Sequence, residues 1–195
     1  MKKIIRNVIC DIGSMVLSLV LILGLAGGVA AATNSDAKTA ITPAQRQEWI
    51  TEQVRHKLAM IPYYSVFDIL EYKVDGDTVT LMGEVRRPVI KDEAESSVKH
   101  IEGVKMVRNQ IEVLPPSPFD DRLRRAEYRS IYSFGPLQPY ALGVNPGIHI
   151  IVKNGDVTLE GSVTSKGDWN AANVRAHMVP GVFSVTNNLR VEKSS

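Results

Sequence analysis

A dense group of arginine and tyrosine side chains is the part of the chain best suited to binding a ligand. Its members are Arg122, Arg124, Arg125, Tyr128, Arg129, Tyr132 and Tyr140. Guanidinium groups bind phosphate oxygens, and tyrosine rings favour the headgroup layer of a membrane. The group therefore predicts a surface for anionic lipid or another anionic ligand.

A structural role is the alternative interpretation of the same segment. Four apolar residues then form the buried side of a helix: Leu123, Ala126, Ile131 and Phe134. The arginines form its solvated side, and three acidic residues offset their charge: Asp120, Asp121 and Glu127. The two interpretations differ in what the arginines face.

Other residue types that support catalysis or metal binding form no motif. The four histidines lack the spacing of metal ligands: His56, His100, His149 and His177. No nucleophile elbow, zinc-protease motif or phosphate loop occurs. Asp75 and Asp77, near Glu71, lack the spacing of a calcium loop and are typical of a turn. We expect no enzyme activity, no metal and no cofactor.

A repeat organises the elements around the arginine group. The segment 79–85, V-T-L-M-G-E-V, returns as V-T-L-E-G-S-V at 157–163, which is 78 positions later. The same offset, without a gap, pairs Ala94 with Ala172, Gly103-Val104 with Gly181-Val182, Val107 with Val185, Asn109 with Asn187 and Val113 with Val191. Two copies of one unit are therefore expected.

Helical and alternating patterns give each copy the order helix, strand, strand, helix, strand. We predict an α+β fold with two αββαβ domains, each a three-stranded mixed sheet covered on one face by two helices. The domains span 42–114 and 120–192, with a proline-rich linker at 115–119 and a tail at 193–195.

Capping signals set the helix starts. Thr42, Pro43 and Gln45 predict a capped helix that ends near Met60, and Pro88 opens the second helix of the first unit. Ser165 and Asp168 predict the cap of the corresponding helix in the second unit. The first helix of the second unit is expected over 120–132, and a loop inserted at 134–146 follows it.

Strand signals complete each unit. A strand that includes Val66, Leu70, Tyr72 and Val74 is expected before a hairpin turn at 75–77. In the second unit a strand over 148–152 precedes a turn at Asn154-Gly155.

Three pairs of repeated residues are predicted to be structural. Gly83 and Gly161 lie on the inward strand face, where a missing side chain lets a helix approach. Gly103 and Gly181 end the second helix of each unit. Asn109 and Asn187 alternate with core valines, so each amide is expected to bond the backbone of a turn or helix end.

The N-terminus has the layout of a secretory signal. Basic residues precede an apolar run over about 15–29 and small residues at 30–32, which predicts a signal peptide over 1–32 and a flexible leader over 33–41. An uncleaved anchor is the alternative, and both place the remaining chain outside the cytoplasm. Cys10, the only cysteine, precedes the apolar run and is not a lipoprotein site.

Charge excludes one class of partner. The chain has 23 basic and 21 acidic residues, and removal of 1–32 takes away Lys2, Lys3, Arg6 and Asp11. The mature chain is then formally neutral. Neutrality and export argue against binding to nucleic acid, so any anionic ligand must be held by a local patch.

Two αββαβ units behind a signal, each with V-T-L-x-G-x-V and then G-V-x-x-V-x-N-x-[IL]-x-V, resemble the BON family over about 42–191. The resemblance implies a non-catalytic periplasmic or envelope-associated protein that binds phospholipid membrane and supports envelope integrity or osmotic protection.

Two alternatives remain for the partner. One is a protein-interaction or chaperone-like module that uses the sheets or the inserted loop to dock an envelope protein. The other is a cell-wall polysaccharide binder that uses Trp49, Trp169, Tyr140 and Tyr132. The sequence does not determine the oligomeric state.

Overall fold

The computed structural model describes residues 7–8, 42–143 and 145–192. Most of the predicted signal peptide at 1–32, the leader at 33–41, residue 144 of the inserted loop and the tail at 193–195 lie outside the described residues. Within the signal segment, strand β1 (Asn7–Val8) pairs antiparallel with the first unit, with Asn7 opposite Tyr72 and Val8 opposite Glu71.

The first unit has the predicted order of elements. It consists of α1 (Pro43–Ala59), β2 (Ile69–Asp75), β3 (Thr78–Val85), α2 (Pro88–Lys99), β4 (Met106–Asn109) and β5 (Glu112–Val113). Thr42 caps α1 through a reciprocal capping box with Gln45, and Pro88 begins α2, as the sequence predicts. A two-residue turn joins β2 to β3, since Asp75 lies opposite Thr78.

The second unit repeats this order with one addition. It consists of α3 (Pro118–Tyr132), a 3-10 helix (Gly135–Ala141), β6 (Ile148–Lys153), β7 (Asp156–Val163), α4 (Lys166–His177), β8 (Ser184–Asn187) and β9 (Arg190–Val191). Helix α3 begins two residues earlier than predicted, because Ser117 caps it and Pro118 occupies its first position. Ser165 caps α4, and its hydroxyl accepts the Asp168 amide at 3.0 Å.

Each sheet is mixed, and its last strand is broken in two. The hairpin strands are antiparallel, whereas β4 and β5 run parallel to β3, and β8 and β9 run parallel to β7. Asn109 and Asn187 end β4 and β8. Each amide donates to a carbonyl in the first turn of a helix, that of Lys91 or Trp169, and each side-chain oxygen accepts the amide two residues on. Each asparagine therefore ties the break to a helix.

Each unit has its own apolar core between sheet and helices. In the first core, Ile50, Val54 and Leu58 of α1 and Ile90, Ala94 and Val98 of α2 pack on the sheet. In the second core, Leu123 and Ile131 of α3 and Ala172 and Ala176 of α4 pack on β6 and β7. A small cluster of Ile69, Leu114 and Ile151 joins the units. The fold is therefore the predicted α+β pair.

The prediction that Gly83 and Gly161 make room for an approaching helix is wrong. Their φ angles are +118° and +119°, and a Cβ would lie 2.1 Å from the Ile69 carbonyl oxygen or 2.3 Å from that of Gly147. The obstacle is thus the neighbouring strand or its edge and not a helix. A side chain at either position would meet both backbone strain and this carbonyl.

Val66 is not part of the first strand, which begins at Ile69. It lies in the core of the second unit, and its carbonyl accepts the amide of Ile150 at 2.6 Å. Val66 lies in a turn that holds it toward the second unit. In this turn the buried carboxylate of Asp68 accepts from the Ser65 hydroxyl at 2.6 Å and the Arg86 amide at 2.7 Å. The segment between α1 and β2 therefore joins the two units.

The inserted stretch is structured. Its 3-10 helix buries Leu137 completely, and Phe134, Tyr140 and Ala141 pack against the second core. The sequence predicts only an inserted loop at this place. The apolar contacts explain why the stretch folds onto the second unit.

Candidate functional site

Helix α3 sets three residues against its sheet at intervals of four, and they are Leu123, Glu127 and Ile131. Ser117 caps the helix, and Asp120 and Asp121 lie in its first turn, where negative charge favours the helix dipole. This register decides which of the predicted binding residues reach solvent. The arginine and tyrosine group consequently divides into an internal set and an exposed set.

Arg124 belongs to the internal set and is 3% exposed. Its guanidinium donates to the Val152 carbonyl at 2.6 Å and to the Asp121 carboxylate at 2.8 Å. These bonds fasten α3 to the end of β6. Arg124 is therefore placed to hold the hairpin and not to meet a ligand.

Tyr132 and Tyr140 also make internal bonds. The buried Tyr132 hydroxyl donates to the Ile148 carbonyl at 2.7 Å, and burial raises the pKa of this phenol. The Tyr140 hydroxyl donates to the Asp168 carboxylate at 2.9 Å and accepts the Thr164 amide at 2.9 Å. Both tyrosines connect elements of the second unit.

The exposed set forms a continuous side of the helix, and we name it the α3 face: Arg122, Arg125, Tyr128 and Arg129. Tyr128 is 42% exposed. No carboxylate among the described residues forms an ion pair with Arg122, Arg125 or Arg129. Within residues 42–143 and 145–192, the α3 face therefore presents three arginines without a carboxylate partner, together with the exposed Tyr128 ring.

Two of the three acidic residues expected to offset these charges point inward. The buried Asp120 carboxylate accepts the amides of Asn154 and Gly155 at 3.0 and 2.9 Å, so it holds the β6–β7 turn. Glu127 is fully buried, and neither carboxylate oxygen has a hydrogen bond among the described residues. Burial raises the pKa of Glu127 to about 8, so the side chain is largely neutral near pH 7.

An exposed aromatic pair extends the α3 face at one end, and we name it the aromatic corner: Phe119 and Phe183. The ring centroids lie 6.2 Å apart, and Phe183 is 76% exposed. The guanidinium of Arg122 lies 5.8 Å from the Phe119 ring centroid. Sequence reasoning missed this corner, although the repeat offset would have compared Phe183 with Lys105.

Shallow concavities flank the α3 face. One, of about 400 Å³, is lined by Phe119, Arg122, Leu123, Arg125, Ala126, Arg129 and Pro180. The other, of about 240 Å³, is lined by Phe67, Arg125, Tyr128 and Arg129. Arg125 and Arg129 border both. Arginine beside aromatic carbon suits a ligand with an anionic group and an apolar part.

The aromatic residues suggested for polysaccharide binding do not form one platform. Trp49 is exposed on α1, whereas Trp169 is half-buried on α4 with the Lys166 ammonium 3.5 Å from its ring centroid. Tyr132 lies in the core and Tyr140 is bonded to Asp168. A stacked sugar surface therefore has no support from this geometry.

Two further properties concern the described residues alone. In residues 7–8, 42–143 and 145–192, no three histidine, cysteine or acidic side chains are grouped so as to hold a metal ion. Across the same residues, no helix combines the length and apolar character needed to cross a bilayer.

Comparison with known proteins identifies the repeated unit. The family model described as "BON domain" matches residues 46–115 and 141–193, which is more than half of the chain. The first match begins within α1 of the first unit, and the second begins at Ala141, after α3 of the second unit. A search of curated proteins finds no significant match.

Two solved structures match the chain at low identity and low TM-score. One comes from structural studies of CdsD, a structural protein of the type III secretion system of Chlamydia trachomatis, with 12% identity and a TM-score of 0.31, covering 75% of this chain and 93% of that chain. The other is the C-terminal domain of CdsD, with 12% identity and a TM-score of 0.30, covering 73% of this chain and 96% of that chain.

Proposed function

This chain belongs to the BON domain family, and from that premise we propose that it is a non-catalytic protein of the bacterial envelope that binds anionic phospholipid through its second unit. The observation that carries the proposal is the α3 face beside the aromatic corner, where three arginines have no ion pair within the described part of the chain. Its role is to support envelope integrity or protection against osmotic stress.

Electrostatic attraction provides the first part of the binding. Each arginine near an anionic membrane surface contributes about 1 kcal/mol, and a guanidinium forms paired hydrogen bonds with phosphate oxygens. Arg122, Arg125 and Arg129 lie on one side of α3, so the helix contacts the surface along its length. Binding is therefore strongest at low ionic strength.

Apolar contact provides the second part. Phe119 and Phe183 lie at one end of the α3 face, and Tyr128 lies within it. When the α3 face contacts a membrane, these aromatic rings enter the headgroup layer. A surface of arginine alone would bind any polyanion. This combination favours a lipid surface over a soluble anion.

Flotation with vesicles tests the proposal. Variants are made in the chain that begins at Thr33, because the apolar segment before it would bind vesicles by itself. This chain lacks β1 but retains the residues of both cores. The vesicles contain phosphatidylglycerol and phosphatidylethanolamine, and phosphatidylcholine alone is the reference. Arg125→Glu with Arg129→Glu is expected to reduce binding to the anionic vesicles more than tenfold.

Arg124 is left unchanged, since its replacement would release the β6 hairpin. The matched control is Arg46→Glu with Lys57→Glu, which makes the same charge change on the exposed side of α1. Wild-type binding to both vesicle types at equal strength, or an equal loss in the control, would contradict the proposal. A wild-type protein that floats with neither vesicle but retains an envelope protein would favour the protein-docking alternative.

A further inference from the structure

The concavity between Phe67 and α3 is built by both units. Phe67 belongs to the Ser65–Asp68 turn of the first unit, and its half-buried ring packs against the core of the second. The ring centroid lies 6.1 Å from that of Tyr128 on α3. Arg125 and Arg129 of the second unit complete the lining. We name this concavity the junction depression.

The turn that supplies Phe67 is held in place from both sides. In the first unit, Asp68 bonds Ser65 and the Arg86 amide. In the second unit, the amide of Ile150 bonds the Val66 carbonyl, and the Val66 side chain is 7% exposed within the core. The floor of the junction depression is therefore a fixed feature of the joined units.

Arg86 brings a positive charge from the first unit close to the Phe67 ring, from a neighbouring concavity that it lines together with Leu114 and Asp121. Its guanidinium lies 5.5 Å from the Phe67 ring centroid, on a side chain that is 31% exposed. Among the described residues its acidic partner is Asp121, at 3.9 Å, and this carboxylate already bonds Arg124 at 2.8 Å. One carboxylate thus serves two guanidiniums, and a positive charge remains uncompensated.

Size and lining select the class of ligand. The depression is small and open to solvent, with a volume of about 240 Å³. The floor is aromatic and the three nearby cations are arginines, which bind phosphate in a fixed planar geometry. These properties fit a phosphate joined to a glycerol and the first carbons of an acyl chain.

We propose that the junction depression binds the headgroup of a single anionic phospholipid through Arg86 of the first unit together with Arg125 and Arg129 of the second. This inference rests on the proposed function and adds that recognition of the lipid requires the first unit. The glycerol and proximal acyl carbons lie on Phe67 and Tyr128. Each unit alone lacks part of this site.

Single charge reversals test the inference in the same vesicle assay, with the chain that begins at Thr33. Arg86→Glu, in the first unit, is expected to weaken binding to phosphatidylglycerol vesicles roughly tenfold, as much as Arg125→Glu in the second. Arg108→Glu is the matched control, because this exposed arginine of β4 makes the same charge change outside the depression. It is expected to change binding by less than about twofold.

Two further variants separate ligand contact from stability. Arg86→Gln removes the charge without placing a second carboxylate beside Asp121, and Phe67→Leu removes the ring while it keeps an apolar side chain in the core. Both are expected to weaken binding about threefold or more with a melting temperature close to that of the wild type.

The outcomes distinguish this inference from the proposed function. If Arg125→Glu weakens binding while both Arg86 variants and Phe67→Leu bind as the wild type does, the lipid contacts the second unit alone and the inference is wrong. If Arg108→Glu is as harmful as Arg86→Glu, only total charge matters, which also overturns it. If the wild type does not bind anionic vesicles, the proposed function itself fails.

Discussion

Helices α1 and α3 occupy the same place in the two units, and each sets three residues against its sheet at intervals of four. In α1 these residues are Ile50, Val54 and Leu58, and in α3 they are Leu123, Glu127 and Ile131. The outward sides differ in charge. Arg55 on α1 bonds Glu52 at 2.9 Å, whereas the arginines of the α3 face have no carboxylate partner among the described residues.

The aromatic corner of the second unit also differs in charge from the corresponding place in the first unit. In the first unit the Lys105 ammonium pairs with the Asp77 carboxylate at 2.8 Å beside the hairpin turn. In the second unit the corresponding positions hold Phe183 and Gly155, and the Phe183 ring lies against Gly155. One repeat therefore keeps a self-compensated polar surface, and the other presents cations and aromatic rings. The two repeats share a fold and differ in the chemistry of this surface.

The largest expected difference between the units is in the free energy of unfolding that is lost when the side-chain bond from the first helix to the hairpin is removed. Asp120 accepts two turn amides from a buried position, whereas Gln47 in α1 donates one bond to the Val74 carbonyl at 3.2 Å. Bonds to a charged group contribute about 1.5–3 kcal/mol each and a neutral bond about 1 kcal/mol. Asp120→Ala should therefore lower the free energy of unfolding by about 4 kcal/mol and Gln47→Ala by about 1 kcal/mol.

Urea unfolding curves of the two variants check this comparison. Changes of equal size would mean that the buried carboxylate adds nothing beyond a neutral bond.

A second contrast is the carboxyl group that α3 buries where α1 has Val54. The folded state raises the pKa of Glu127 from 4.5 to about 8, so its contribution to stability is fully present below pH 4.5 and is lost as the pH rises to about 8. Glu127→Val should raise the free energy of unfolding at about pH 9 by up to about 4 kcal/mol more than at about pH 5.

Val54→Ala serves as the reference, since its cost should not depend on pH. The prediction is checked by unfolding curves over this pH range. An effect of Glu127→Val that is the same at both ends would show that the carboxyl group does not titrate as described.

A third contrast lies where the units meet. His149 faces the Tyr64 ring at a centroid distance of 5.6 Å, and the repeat offset aligns it with Glu71. Burial lowers the pKa of His149 from 6.5 to about 4, although nearby backbone of Asp68, Ser65 and Pro146 opposes the shift. Because the folded-state pKa is lowered, the contribution of neutral His149 to the free energy of unfolding is fully present above pH 6.5. It is lost as the pH falls through about 4.

Acidification from about pH 7 to about pH 4.5 should therefore cost the wild type about 2 kcal/mol that His149→Leu does not lose. His177→Leu, at an exposed position of α4, is the control and should behave as the wild type does. Unfolding curves at the two pH values measure this difference. Parallel losses in wild type and His149→Leu would remove His149 as the cause.

The smallest expected effect concerns the corners. Phe183→Lys gives the second unit the residue that the first unit has, and it should weaken binding to phosphatidylglycerol vesicles about fivefold with little change in stability. The gain of a positive charge opposes this loss, so a net decrease would specifically identify the aromatic contact. Met106→Lys, at a half-exposed position of the first unit, is the control. Binding that rises equally in both variants would assign the contact to charge alone.

Local signals in the sequence were enough to predict the fold. The offset of 78 residues, the capping box at Thr42 and the turn at Asn154-Gly155 each correspond to an observed element. Such signals act within a few residues, or through a repeat, so they can be recognised without coordinates. The glycines were also recognised as structural, but their strained φ and the carbonyl beside them depend on strand pairing.

The candidate site was only partly predictable, because exposure depends on helix register and on contacts between the units. Arg124 and Arg125 are adjacent in sequence, yet one bonds the Val152 carbonyl and the other faces solvent. Val66 was assigned to a strand of the first unit, whereas it packs, together with Phe67, with the second core. Such contacts between distant segments cannot be read from periodicity.

The most direct test of the central claim measures which helix lies at the lipid surface. Bicelles that contain phosphatidylglycerol and a spin-labelled headgroup are added to isotope-labelled protein, and paramagnetic broadening is recorded for backbone amides of α1 and α3. We expect strong broadening along α3 and near Phe183, with α1 nearly unaffected. Broadening that is equal on the two helices, or confined to α1, would contradict the account.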